Sequence, residues 1–179
     1  ANLIRSSEDF AGAYWTRDPL LEVTPGFVDP GEGATASRMT NTGQAWQGMR
    51  QRLVAPAAFQ YCFSLFARSD GGSPVWLGCR SGATETGRWM ETGSAWRRYF
   101  WSGRAGTSGD EVDFEVRLES GGSAVIWGAQ VEAQGQPSEY QRTTDRGGVY
   151  AETRFASDSL SMASARAGEH GARLRLISV

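Results

Sequence analysis

The sequence predicts an all-β fold, two antiparallel sheets packed as a sandwich, and three observations carry that expectation. Turn-forming residues punctuate the chain at short intervals: Thr24-Pro25-Gly26, Asp29-Pro30-Gly31, Asn41-Thr42-Gly43, Asp70-Gly71-Gly72, Ser120-Gly121-Gly122 and Arg146-Gly147-Gly148. Between them apolar residues recur with a period near two, the spacing of half-buried strands. The composition agrees, with seven Trp and 23 Gly among 179 residues, an excess of aromatic and turn-forming types over long helix formers. Strands spaced by roughly 8–15 residues favour a sandwich over an up-and-down barrel.

The elements follow in order. After a start that reads as long loops, the first clear strand is 59–67, with Phe59, Tyr61, Phe63 and Leu65 on one face and Gln60, Cys62, Ser64 and Phe66 on the other. Asp70-Gly71-Gly72 reads as a hairpin loop into 75–80, where Val75, Leu77 and Cys79 point inward. A third strand is expected at 96–101. The segment 112–118 alternates most cleanly, with Asp113, Glu115 and Arg117 on one face. The segment 125–131 completes the set; Trp127 and Trp96 are assigned to the core, and Trp15 is read as a packed anchor. Residues 1–145 therefore form the main domain. The remainder, 146–179, reads as a C-terminal β extension with strands near 149–155, 160–163 and 172–179, too few to fold alone and so packed on the sandwich or on another subunit.

Composition excludes several classes. A formal charge of −2 creates no strong field toward nucleic acid or a membrane surface. No apolar run reaches the roughly 18–20 residues that span a bilayer. The start, Ala1-Asn2-Leu3-Ile4-Arg5, is not a basic segment followed by an apolar stretch, so export by a signal peptide is not expected. All 18 basic residues are Arg; coding bias accounts for that most simply, and selection for forked contacts to carboxylates or sugars is the alternative. Cys62 and Cys79 fall on neighbouring candidate strands. One register sets them side by side and a one-residue slip puts them on opposite faces, with free thiols the default. One His and two Cys do not make a zinc site of the usual kind. Asp29, Glu32, Asp110 and Glu111 offer oxygens to calcium in Gly-rich loops, yet such loops are commonly just hydrophilic turns. No cofactor is expected.

Catalysis finds little support. Asp113 and Glu115, at i and i+2, stand about 7 Å apart by strand rise, near the separation used by glycosidases, but Arg117 beside them suggests charge balance on a solvated or ligand-binding face. His170, in the turn-like Ala167-Gly168-Glu169-His170-Gly171, is the lone histidine and reads as an exposed loop residue. No catalytic residue is assigned. Binding fits better. Flat C–H faces of sugars stack on Trp, and their hydroxyls take bidentate partners. Trp76 opposes the parity of Val75 and Leu77, and Arg80 shares its face, with Gln60 and Ser64 one strand over. Trp46 lies among polar residues in Gln44-Ala45-Trp46-Gln47, and Trp89 lies in the loop-like Thr86-Gly87-Arg88-Trp89. With Asp113, Glu115 and Arg117 these form the candidate saccharide site; the bland alternative for each Trp is packing against a subunit or the tail.

Several stretches resemble the carbohydrate-binding-module-like jelly rolls of bacteriophage fibre, spike and tail proteins. The run 2–10 followed by Trp15 looks like that module's opening, and 61–68 is similar to its central strand. Trp96-Arg97-Arg98 resembles the start of a later strand. Trp127-Gly128-Ala129-Gln130-Val131-Glu132, followed by Pro137-Ser138-Glu139-Tyr140, looks like the closing strand and exit. The resemblance covers roughly residues 2–144 and departs in the tail. It implies a jelly-roll module borne on a virion or phage-like particle made in the bacterial cytoplasm. It also implies a homo-oligomer or a part of a larger assembly with other virion proteins, and recognition of bacterial surface polysaccharide. A purely structural assembly protein is the alternative, and a glycosidase fragment the weaker one.

Overall fold

The computed structural model describes residues 1–148 and, beyond them, the backbone of four short strands. Among the described residues there is no helix. The strands are β1 (Thr16–Arg17), β2 (Leu21–Phe27), β3 (Ala36–Asn41), β4 (Gln47–Val54), β5 (Tyr61–Arg68), β6 (Val75–Ser81), β7 (Thr84–Met90), β8 (Arg97–Gly103), β9 (Glu111–Leu118) and β10 (Ser123–Glu132). They form two five-stranded antiparallel sheets, ordered β1-β4-β9-β6-β7 in the first and β2-β3-β10-β5-β8 in the second. This is the expected all-β jelly-roll sandwich.

The core lies between the sheets and is built by the alternation. Val112, Phe114, Val116 and Leu118 from β9, Val75, Leu77 and Cys79 from β6, and Met49 from β4 face Tyr61, Phe63, Leu65 and Ala67 from β5. Tyr61 and Phe63 both meet the Phe114 ring edge-on, with centroids 5.3 and 6.0 Å away. The two ends of the module are tied together. Asn2 is buried, its Nδ2 donates to the carbonyls of Ala129 and Gln141, and its Oδ1 accepts from Val131 N–H. Trp15 is buried beside Phe10, as expected of a packed anchor.

Four expectations are corrected. The start is not loops: β2, β3 and β4 all pair there. Asp70-Gly71-Gly72 does not close a hairpin, because β5 and β6 belong to different sheets and the loop crosses between them. Cys62 therefore pairs in register with Ser102 and Glu132 while Cys79 pairs with Thr86 and Phe114, and both thiols are free and buried. Trp127 is not in the core. A bulge at Gly128, which has φ +64, shifts the parity of β10, so Ile126 and Ala129 face inward and Trp127 faces out against Phe66 and Tyr140. Trp96 precedes β8 and is half-buried, with Arg68 over its ring.

The chain divides into two compact units, Ala1–Val149 and Tyr150–Val179. Gly148 N–H donates to the Asn2 carbonyl, so the Gly-Gly segment is bound to the first unit. In the second, β11 (Thr153–Phe155) pairs with β14 (Leu176–Ser178) and β12 (Ser161–Arg166) with β13 (Glu169–Arg173). His170 sits on β13, opposite Ser164, rather than in a turn. The expected strand starts at 149 and 160 lie outside the described residues.

Candidate functional site

A sandwich has two outer faces, and this chain covers part of one of them itself. On the second sheet, the segment after β10 lies across Ser64, Phe66, Arg98 and Gln130. Arg98 donates to the Ser138 carbonyl and to Ser64 Oγ, and Gln141 N–H donates to Gln130 Oε1. Glu132 accepts from the Ser138 N–H and hydroxyl. Tyr140 packs on Trp127 and shares its hydroxyl with Ser7 and Glu8. Ser64 is buried here, and Gln60, just before β5, bonds Ser102 across to β8. Both therefore sit on the wrong sheet to join Trp76 and Arg80. Only a β5–β6 hairpin would bring the four together, and β5 and β6 lie in different sheets.

The first sheet's outer face gathers the other candidates in three rows, fixed by strand register. Gly48 (β4), Arg117 (β9), Trp76 (β6) and Trp89 (β7) form one row. Arg50, Glu115, Gly78 and Gly87 form the next, and Arg52, Asp113, Arg80 and Glu85 the third. Neighbouring strands are about 4.8 Å apart, so side chains along a row touch.

The two glycines in the middle row open a floor on which the Trp76 indole lies. A Cβ at Gly78 would stand 2.5 Å from a ring atom, and one at Gly87 closer still. Arg117 lies over the other side of that ring, its guanidinium carbon 4.1 Å from the centroid. Trp46, delivered by the turn before β4, covers Arg117 at 4.0 Å. The layers run glycine backbone, Trp76, Arg117, Trp46. Gly48 belongs to the same design, since a Cβ there would press to 2.7 Å from Arg117 Cγ.

Carboxylates pin the arginines. Arg117 gives Glu85 a fork through NH1, at 2.9 Å, and NH2, and bonds Glu115 at 2.7 Å. Arg52 gives Asp113 a second fork at 2.7 and 3.0 Å, and Arg80 reaches the same carboxylate at 3.4 Å. Arg50 pairs with Asp18 at 3.2 Å. The hydrogen bonds from Arg52 hold the Asp113 carboxyl below its ordinary range, against the effect of its burial. The fork from Arg117 does the same to Glu85. Burial disfavours the Arg117 charge, but its bonds to Glu85 and Glu115 outweigh that and raise its pKa.

Asp113, Glu115 and Arg117 are expected on a solvated or ligand-binding face. They are buried instead, because the neighbours in their rows close over them. Trp76 does point outward, opposite Val75 and Leu77, but it is only 7% exposed. The exposed indoles of this face are Trp46 at 48% and Trp89 at 40%, and Trp89 lies on a strand, not in a loop. Glu85 was missed. Its signal was the Gly82-Ala83 turn, which folds Thr84 back onto Ser81 and sets Glu85 beside Arg80. A general acid needs a raised carboxyl pKa, and Asp113 moves the other way.

Asp29 is not free for a cation. Gly31 and Gly33 donate to Oδ1, and the Thr35 N–H and hydroxyl donate to Oδ2. Burial would raise its pKa, but these bonds outweigh it and lower it. No cluster of three or more His, Cys, Asp or Glu able to hold a metal occurs among the described residues. A cleft of about 620 Å³ opens beside β4, bordered by Arg5, Tyr14, Arg52 and Val54 and not by Trp76 or Arg80.

No family model and no curated protein matches the sequence. Solved structures do share the fold. The enzymatically active domain of bacteriophage CBA120 tailspike protein 4 superposes with a TM-score of 0.58 at 14% identity, over 73% of this chain. This chain spans about a fifth of that one, 21%. The C-terminal family 22 carbohydrate-binding module of Clostridium thermocellum Xyn10B gives 0.57 at 17% identity, over 77% of this chain and 96% of that one. The module TmCBM61, solved with β-1,4-galactotriose, gives 0.55 at 14%, over 75% and 99%. The domain thus has the fold of carbohydrate-binding modules.

Proposed function

We propose that the sandwich is a non-catalytic saccharide-binding module whose contact surface is the outer face of the first sheet. One observation carries this reading: two half-exposed indoles, Trp46 and Trp89, border a floor of pre-oriented arginine–carboxylate forks. A sugar needs an apolar plane for its C–H face and fixed donors and acceptors for its hydroxyls. Trp46 and Trp89 supply the planes. Arg52, Arg80 and Glu85, which reach solvent, supply the polar edge. Trp76, Arg117, Asp113 and Glu115 hold these groups in place. The likeness of fold to carbohydrate-binding modules supports the reading without fixing a ligand.

The finer part of the proposal is that the module rides on a phage-like particle made in the bacterial cytoplasm and grips bacterial surface polysaccharide. The resemblance at both module ends and the shared fold of a tailspike domain support it. The C-terminal unit favours a contribution to assembly, because two-stranded pairs such as β11–β14 and β12–β13 are marginal alone and gain from a homo-oligomeric or virion partner.

The test is a glycan array followed by calorimetry on purified bacterial polysaccharides. Wild-type protein should bind, and Trp46→Ala with Trp89→Ala should weaken binding at least tenfold while leaving a cooperative unfolding transition. Undiminished binding by that double variant would move the site elsewhere.

A further inference from the structure

We infer that the face selects an uncharged sugar chain and rejects uronate-bearing or otherwise anionic ones. The inference rests on the saccharide-binding reading and names its ligand class. Its basis is that the described cations of the face are already committed. Arg50 pairs with Asp18, Arg52 with Asp113 and Glu111, Arg80 with Asp113, and Arg117 with Glu85 and Glu115. Four arginines thus meet five carboxylates, so the surface is balanced to within one charge and leans acidic.

To gain a cation of its own on a face where carboxylates outnumber arginines, an incoming sugar carboxylate would have to draw Arg52 or Arg80 away from Asp113. Asp113 has a side chain only 6% exposed, and stripping its partners leaves a buried carboxylate without a cation. Taking Arg117 instead would strand Glu115, which is 2% exposed, and unstack Trp46 and Trp76. Sugar hydroxyls make no such demand. They accept from spare guanidinium N–H groups and donate to carboxylate lone pairs while every ion pair stays closed. Discrimination comes from the cost imposed on the wrong ligand as much as from contacts to the right one.

The experiment compares binding to neutral galactan, xylan and mannan with binding to polygalacturonate and alginate, for wild type, Asp113→Asn and Glu85→Gln. Wild type should bind at least one neutral polymer at least tenfold more tightly than either polyuronate, with little dependence on salt. Asp113→Asn frees Arg52 and Arg80 and should narrow that gap by raising affinity for polyuronate. Glu85→Gln, at the more exposed rim, should act in the same direction and serves if Asp113→Asn does not fold. Tighter binding of polyuronate by wild type, weakening with salt, would overturn the inference and leave the saccharide reading intact. Binding to no saccharide, on these polymers and on the array, would remove both.

Discussion

Arg117 lies over Trp76 with its guanidinium carbon 4.1 Å from the ring centroid, and Trp76 in turn covers Gly78 and Gly87. The relationship explains three features of composition at once. Two adjacent glycines on paired strands would ordinarily weaken a sheet; here they leave the space that an indole fills. The indole gives a desolvated guanidinium an electron-rich face to lie against. The guanidinium, anchored by Glu85 and Glu115, then supports the more exposed Trp46.

If Trp76 lies on the glycine floor, a side chain at Gly87 must lift it. Gly87→Val should destabilise the fold by about 1–3 kcal/mol, the usual cost of overpacking, and should change the tryptophan near-UV circular dichroism. Urea unfolding measures the first effect. An unaltered midpoint and spectrum would mean the ring rests elsewhere.

Arg117→Met should be more costly, by about 3–5 kcal/mol, because it leaves Glu115 buried without its cation. Adding Glu115→Gln to that variant removes the stranded charge and should restore part of the loss. A double-mutant cycle reads the coupling; strict additivity would count against the pair.

The pH dependence has a definite sign. Glu85 and Asp113 both have folded-state pKa values below those of the unfolded chain. In the acidic window between the two sets, the unfolded chain binds more protons, so stability rises with pH there. The contribution is complete above about pH 5, given ordinary carboxyl values near 4, and is lost as pH falls through the folded-state values. Thermal midpoints recorded from pH 2 to 8 should drop on the acid side, and Glu85→Gln should flatten part of that slope. A slope unchanged by Glu85→Gln would contradict the Arg117 fork.

Both cysteines should resist thiol reagents in the native state. Burial pushes the Cys62 thiol up to about 11 and the Cys79 thiol up to about 12, and little thiolate exists at pH 8. Ellman's reagent should titrate neither in the folded protein and both in denaturant, with or without prior treatment by a reductant that is then removed. Rapid native labelling at pH 8 would refute the burial of at least one, and a loss of titratable thiols in denaturant without reductant would reveal a disulfide.

Much of the sandwich was legible because alternation is local. Phe114 and Asp113 fall on opposite sides of β9 whatever else the chain does, and the same holds for Leu77 and Trp76 on β6. Other features escaped for reasons that are equally physical. Gly128 inserts one residue into β10, and a single insertion reverses the parity of everything before it; Trp127 changed sides on that account. The strand β7 carries Glu85, Arg88 and Trp89 at an exposed sheet edge, so it lacks the apolar periodicity that marks a half-buried strand.

The sequence by itself determined that this chain makes short alternating strands, that Val112, Phe114, Val116 and Leu118 share a face, and that Asp113, Glu115 and Arg117 share the opposite one. Only the tertiary structure decided which strands are neighbours. It sent β5 and β6 to different sheets, separating Ser64 from Arg80 and Cys62 from Cys79, and it brought Trp46 and Glu85 onto Arg117. Strand parity is set by backbone geometry within a few residues, whereas strand order is set by closing a core over the whole chain, which no short stretch of residues encodes.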